Sequence, residues 1–117
     1  MKDKLYNAAI QWAERKGFKK IKANADKYET PKSFYKPSTD ITVIPDITGV
    51  KMGAKSYIEI ALKADNMKAT ISRWKLFGTL AAQKGGKLYL LAGRGHKSFV
   101  ERIVQKHNLT NATVISI

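Results

Sequence analysis

Two acidic residues, Asp46 and Glu59, are the side chains of this sequence whose types and spacing could support chemistry. Glu59 is the only acid in the segment 57–63, where apolar residues occupy every second position as they do in a β-strand with one buried face. If the chain reverses direction near Met52 and Gly53, Asp46 lies directly opposite Glu59, because both are equally far from the turn. The sequence therefore predicts two carboxylates that face each other across a β-hairpin.

Like charges directly opposed in a hairpin are unfavourable, so such a pair is expected where a cation lies between the carboxylates. Oxygen ligands without cysteine favour a hard ion, Mg²⁺ or Mn²⁺, which keeps part of its water and accepts a substrate phosphate. Lys63 lies further along the same strand face as Glu59 and could orient or deprotonate a water, or neutralise charge at the phosphate. We therefore predict a metal-dependent centre for phosphodiester hydrolysis built from Asp46, Glu59 and Lys63.

Two alternatives to this pairing stay open at the level of sequence. Asp40 could take the place of Asp46 if the turn were nearer Gly49, although Pro45 would then interrupt the strand. Alternatively, Asp46 is a turn residue after Pro45, and Glu59 is an exposed strand acid paired with a lysine. The second alternative removes the metal site.

The segment Pro45-Asp46, followed thirteen residues later by Glu59 and then Ile60, resembles the motif of the PD-(D/E)XK nuclease superfamily. The resemblance implies that Asp46 and Glu59 bind the metal ion, that the carbonyl of Ile60 contributes, and that a lysine assists the water. An acid on the first helix often adds to such a site, and Glu14 is the candidate here. Small Holliday junction resolvases are similar in length and basicity, which implies branched DNA as a substrate and a homodimer.

The sequence departs from the motif at Ala61, where the superfamily has its lysine. Lys63 shares the face but lies about 6.6–6.8 Å further along the strand. Lys75 on the following helix is another candidate for the same role. Loss of catalysis is the alternative, and it would leave a non-catalytic DNA- or RNA-binding module with a degenerate site on the same fold.

The elements that must position these residues follow from the hydrophobic pattern. The fold class is α/β, and the resemblance implies a restriction-endonuclease-like core, a central mixed β-sheet flanked by helices in the order α-β-β-β-α-β plus a C-terminal α-β. With 117 residues, residues 1–117 should form a single nuclease-like domain. The predicted elements are a helix at 3–16, a short strand at 18–22, strands at 33–36 and within 41–50, a strand at 57–63, a helix from Met67 to Gly85, a strand at 87–92, a helix at 98–106 and a strand at 112–117.

The charge of the chain indicates a polyanionic partner. It has 22 Lys and Arg against nine Asp and Glu, a net charge of +13. Such a surplus opposes compaction and is usually compensated when a nucleic acid binds. A solvated basic surface and a basic scaffold protein of a nucleoprotein particle are the alternatives. Phosphate contacts are predicted at Lys68, Arg73 and Lys75 near the start of the second long helix and at Arg94 and Lys97 in a glycine-rich loop.

Several other kinds of site are excluded. There is no cysteine, so neither disulfides nor thiolate metal sites can form. His96 and His107 are too few and too far apart for a histidine-based metal site, and Gly93–Lys97 lacks the spacing of a Walker A loop. No apolar run of 18 residues or signal-like segment is present, so we expect a cytoplasmic protein with no membrane partner.

Overall fold

Across residues 2–37 and 40–117, which a computed structural model describes, the chain forms three α-helices and seven β-strands. In chain order these are α1 (Lys2–Arg15), β1 (Lys19–Ala23), β2 (Phe34–Lys36), β3 (Ile41–Val43), β4 (Ile47–Lys51), β5 (Ala54–Ala61), α2 (Lys68–Gln83), β6 (Gly85–Ala92), α3 (Lys97–Lys106) and β7 (Ala112–Ser116).

Five strands form the central sheet, in the order β1-β4-β5-β6-β7. The pairs β1–β4 and β4–β5 are antiparallel, whereas β5–β6 and β6–β7 are parallel. Helices α2 and α3 connect the parallel strands, as a parallel connection requires. The predicted α/β class with a mixed central sheet flanked by helices is therefore confirmed.

The two faces of this sheet carry separate hydrophobic clusters. On one face, Trp12 of α1 packs with residues such as Ile58. On the other face, Trp74 of α2 and Val100 of α3 pack with Tyr57 and its neighbours. Trp12 is 5 % exposed and Trp74 is 1 % exposed, so both tryptophans belong to the core, as their helical spacing predicts.

The β4–β5 hairpin turns at Met52 and Gly53, whose φ angles are 53° and 81°. Positive φ at both central residues is characteristic of the two-residue turn whose twist matches that of paired strands. The resulting register pairs Ile47 with Ile58. One position further from the turn, this register brings Asp46 opposite Glu59, as the sequence predicts.

The segment before β4 differs from the prediction of one continuous sheet. Strands β2 and β3 pair with each other, with Phe34 opposite Val43, and form a separate two-stranded sheet. Pro45 lies between β3 and β4, and its missing N–H together with its fixed φ ends the ladder there. This β2–β3 hairpin packs Phe34 and Val43 against the hydrophobic cluster on the α2 face of the sheet.

The alternative register, in which Asp40 faces Glu59, is wrong. It requires a turn near Gly49, but Gly49 is paired with Ser56 inside the hairpin. Asp40 instead lies just before β3, where its carboxylate accepts a hydrogen bond of 2.6 Å from the hydroxyl of Tyr35.

Two element ends differ from the sequence prediction. Strand β5 ends at Ala61, so Lys63 lies beyond it in the connection to α2. Helix α3 begins at Lys97, one residue before the predicted start at 98, and no side-chain cap forms at its start. No helix within the described residues is long and apolar enough to cross a membrane.

Candidate functional site

The structure brings Asp46 and Glu59 into direct contact. The backbone N–H of Asp46 donates a hydrogen bond of 2.6 Å to Oε2 of Glu59. The backbone N–H of Ile60 donates a bond of 3.0 Å to Oδ2 of Asp46. Asp46 is 4 % exposed and Glu59 is 1 % exposed. The alternative in which Glu59 is an exposed acid is therefore wrong, because the hairpin places this side chain between the sheet and α2.

Arg73 of α2 joins this acid pair. Its Nε donates to Oε1 of Glu59. Its Nη2 lies 3.2 Å from Oε2 of Glu59 and 3.4 Å from Oδ1 of Asp46, and it also donates to the carbonyl of Ile44. One nitrogen thus contacts an oxygen of each carboxylate. The cation that the opposed acids require is, in this structure, the guanidinium of a residue that the sequence placed at a phosphate contact.

Burial and charge act against each other in this cluster. Burial, followed by the charge of Asp46, raises the pKa of Glu59 to about 7, although Arg73 acts to lower it. Burial alone would lower the pKa of Arg73, but its hydrogen bond to Glu59 and the two carboxylate charges hold that pKa above its ordinary value. Glu59 is consequently poised between its neutral and charged forms near neutral pH.

Helix α1 contributes Tyr6 to the cluster. The hydroxyl of Tyr6 donates a hydrogen bond of 2.8 Å to Oδ1 of Asp46. Burial, and then the charge of Asp46, raises the pKa of Tyr6 well above its usual range, so the phenol keeps its proton. Glu14, the predicted additional acid, lies eight residues later, about 12 Å along the helix axis, and is exposed. The structure does not bring Glu14 to the pair.

Neither candidate lysine contacts the carboxylates in this structure. Lys63 is exposed beyond the end of β5, and its Nζ lies 5.6 Å from the centre of the Phe99 ring on α3. Its backbone N–H donates a hydrogen bond of 2.9 Å to Nδ1 of His96, which joins the two loops. Lys75 is exposed and lines a groove between α2 and α3. Ala61 is fully buried at the end of β5.

The remaining predicted contacts lie at or near one edge of the sheet. Arg94 and Lys97 are exposed and follow β6, and Lys63 follows β5. Asp46 precedes β4, which is antiparallel to β5, so it lies at the same edge. Lys68, the first residue of α2, is exposed, and its backbone N–H donates to Oδ1 of Asn66. This edge at the carboxyl ends of parallel strands is where ligands bind in many α/β proteins.

The donor chemistry of the acid pair fits a hard cation. Mg²⁺ is commonly held in proteins by one or two carboxylates, together with water and substrate phosphate oxygens. Asp46 and Glu59 supply two such carboxylates, and within the described parts of the chain no group of three or more His, Cys, Asp or Glu side chains converges. An ion here would require Arg73 to leave the position between the acids.

No protein-family model, curated protein or solved structure matches this chain significantly. The resemblance to the PD-(D/E)XK motif therefore depends on Asp46, Glu59 and the order of the elements. Function has to be argued from the geometry of the site, because a shared fold class does not determine an activity.

Proposed function

We propose that the protein is a metal-dependent endonuclease that hydrolyses phosphodiester bonds in DNA, with branched DNA as a candidate substrate. The observation that supports this proposal is the convergence of Asp46 and Glu59 on one cationic atom, Nη2 of Arg73. Two carboxylates that share a guanidinium nitrogen are close enough to share a divalent ion after small side-chain adjustments. Their position at the carboxyl edge of the sheet is also one where a substrate can approach.

The neighbouring residues hold the two carboxylates in place for this role. Tyr6 and the backbone N–H of Ile60 bind the two oxygens of Asp46, while the N–H of Asp46 binds Glu59. Mg²⁺ or Mn²⁺, when bound, would lower the pKa of a water and stabilise charge on the phosphoryl oxygens. The surrounding hydrogen bonds fix the orientation of the ligands, which is what a metal site needs from its supporting residues.

Arg73 has a second role in this proposal. Its side chain is 24 % exposed, whereas those of Asp46 and Glu59 are 5 % and 2 % exposed. Arginine forms two parallel hydrogen bonds with phosphate as readily as with carboxylate. A substrate phosphate could therefore take the guanidinium from the carboxylates, and the same movement would open their oxygens to a divalent ion.

A non-catalytic DNA- or RNA-binding module is the second candidate function. Arg73 neutralises the acid pair without any ion, and Ala61 occupies the place of the motif's lysine. In this case the acids and Arg73 form an internal ion pair that fastens the β4–β5 hairpin to α2. The net charge of +13 favours a nucleic-acid partner under both proposals.

The test uses purified protein with linear duplex, single-stranded and four-way branched DNA, and with RNA, in Mg²⁺, Mn²⁺ or EDTA. The variants Asp46→Asn and Glu59→Gln remove the proposed ligands, and Glu101→Gln, at an exposed acid on α3, is the matched control. Metal-dependent cleavage that both site variants lose and the control keeps would support the nuclease proposal. Cleavage of the four-way substrate in symmetric pairs would further predict a homodimer, because two cuts need two sites.

Binding of nucleic acid by all four proteins without metal-dependent cleavage would contradict the nuclease and leave the binding module. A wild-type protein that binds neither DNA nor RNA at low salt would contradict both proposals.

A further inference from the structure

A groove between α2 and α3 enclosing about 540 Å³ carries cations that the acid pair does not use. Lys68 and Lys75 line it from α2, and Lys106 lines it from the end of α3. All three lysines are exposed, and none of the described residues that line the groove is acidic.

The helical spacing of these residues gives the groove two polar walls. Lys68, Ser72 and Lys75 are at positions i, i+4 and i+7 of α2, so they share one face of the helix. The two lysines are about 10.5 Å apart along the helix axis. Lys106 and the imidazole of His107 stand on the other wall, and the half-buried Ile71 contributes an apolar surface between them.

This α2–α3 groove shares lining residues with a neighbouring pocket at each end. Lys68 and Ser72 also line a neighbouring groove of about 460 Å³ that includes Arg73, the residue bound to the acid pair. At the other end, Lys75 and His107 also line a pocket of about 400 Å³. Through these shared residues, the α2–α3 groove borders the groove that includes Arg73 at one end and the pocket lined by His107 at the other.

We infer that the α2–α3 groove binds the sugar-phosphate backbone of a nucleic-acid strand and guides it toward Arg73. This inference rests on the proposed function in one respect, namely that the partner is a nucleic acid. Because Lys68 and Lys75 are about 10.5 Å apart along the helix axis, they can contact different phosphates of the same strand. Lysines contact phosphates without reading the base sequence, so the groove positions a strand and leaves sequence preference to other residues.

The test compares two triple variants that remove the same charge. One is Lys68→Gln/Lys75→Gln/Lys106→Gln in the groove. The control is Lys16→Gln/Lys19→Gln/Lys84→Gln, which changes exposed lysines that do not line the groove. Binding of fluorescent single-stranded and duplex DNA is measured by anisotropy over a range of salt concentrations without divalent ions, and circular dichroism confirms that each variant is folded.

For the groove variant we expect the slope of log K against log salt to become shallower by about 2 to 2.7, since each lost phosphate contact contributes about 0.7–0.9. The control should change this slope by less than about 1. Equal losses in the two variants, or a groove variant that binds like wild type, would overturn the inference while leaving nucleic-acid binding intact. Equal affinity for polyglutamate of matched charge would overturn the assignment to nucleic acid. Groove-dependent binding without cleavage would support the inference and contradict only the nuclease.

Discussion

Replacing Arg73 by methionine would remove the cation from the acid pair while keeping an apolar side chain of similar reach. The side chains of Asp46 and Glu59 are 5 % and 2 % exposed, so little water can take the place of the guanidinium. Removing one partner of a buried ion pair typically costs about 3–5 kcal/mol. Asp46 keeps its bonds from Tyr6 and from the N–H of Ile60. We therefore expect a loss near the lower limit, about 3 kcal/mol of unfolding free energy at pH 8.

The loss should depend on pH, because Glu59 can accept a proton. Burial raises the pKa of Glu59 to about 7 even with Arg73 present, and Arg73 acts to lower it. Without Arg73 this pKa rises further, so Glu59 stays neutral at mildly acidic pH and no longer needs the cation. At pH 5 the variant should lose only about 1 kcal/mol, from the hydrogen bonds that the guanidinium made.

Glu59 also determines whether the free energy of unfolding of the wild-type protein rises or falls with pH. The pKa of Glu59 in the folded state, about 7, exceeds its ordinary value of 4.5. The folded state therefore binds this proton more tightly than the unfolded state does. The resulting stabilisation is fully present below pH 4.5 and is lost as the pH rises through 7, a change of about 3 kcal/mol. Glu59→Gln cannot titrate, so the difference in stability between it and wild type should follow this change.

Urea unfolding followed by tryptophan fluorescence would measure these effects at pH 5 and pH 8. The set is wild type, Arg73→Met, Glu59→Gln, the double variant and Arg73→Lys as the control that retains a charge. We expect a coupling energy of about 2–3 kcal/mol between positions 59 and 73 at pH 8. A loss below about 1 kcal/mol for Arg73→Met at pH 8, or an equal loss at both pH values, would refute the description of the cluster as a buried ion pair.

Three further substitutions test other close contacts of the fold by the same unfolding measurement. Gly86→Ala should lower the unfolding free energy by more than about 3 kcal/mol, because the added Cβ would lie 1.9 Å from the carbonyl oxygen of Lys55. An unchanged unfolding midpoint would contradict the close approach of β5 and β6. Gly78→Ala in α2 should raise the unfolding free energy by about 0.5–1 kcal/mol, since the nearest non-local atom would be 3.9 Å from the added Cβ. A decrease of more than about 1 kcal/mol would show that the helix packs more tightly there. Tyr6→Phe should lower the unfolding free energy by about 1.5–3 kcal/mol, because it removes the hydrogen bond from the Tyr6 hydroxyl to Asp46. An unchanged unfolding free energy would show that this bond is not made.

The hairpin of the site could be predicted because its signals are local. Every second residue from Ile58 onward is apolar, which assigns Glu59 to the opposite face of β5. Gly53 marks a turn, and a two-residue turn at Met52 and Gly53 fixes the register of the whole strand pair. The pairing of Asp46 with Glu59 can therefore be predicted without any knowledge of the tertiary structure.

The position of Arg73 could not be predicted in the same way, because it depends on how α2 packs on the sheet. Arg73 precedes the buried Trp74 and lies four residues before Phe77, so it lies at the margin of the apolar stripe. From the sequence such an arginine is indistinguishable from one that faces solvent. The opposed acids indicate that a cation is needed, and an arginine at the margin of an apolar helix stripe is the sequence feature that could supply it. Tyr6 gave no comparable signal, because a tyrosine near the start of an amphipathic helix usually serves packing alone.

The two candidate functions differ in what it takes to withdraw Arg73 from the acids. If its removal costs about 3 kcal/mol, an ion that must displace it binds about 150-fold more weakly than it would bind to the open pair. A divalent ion alone would have to supply all of that energy. A substrate phosphate that takes up the guanidinium returns much of it, since a charge-assisted bidentate pair replaces the one that was lost. Metal and nucleic acid would then bind cooperatively in a nuclease. In a binding module the phosphate contacts would be made by Lys68 and its neighbours, and Arg73 would stay with Glu59.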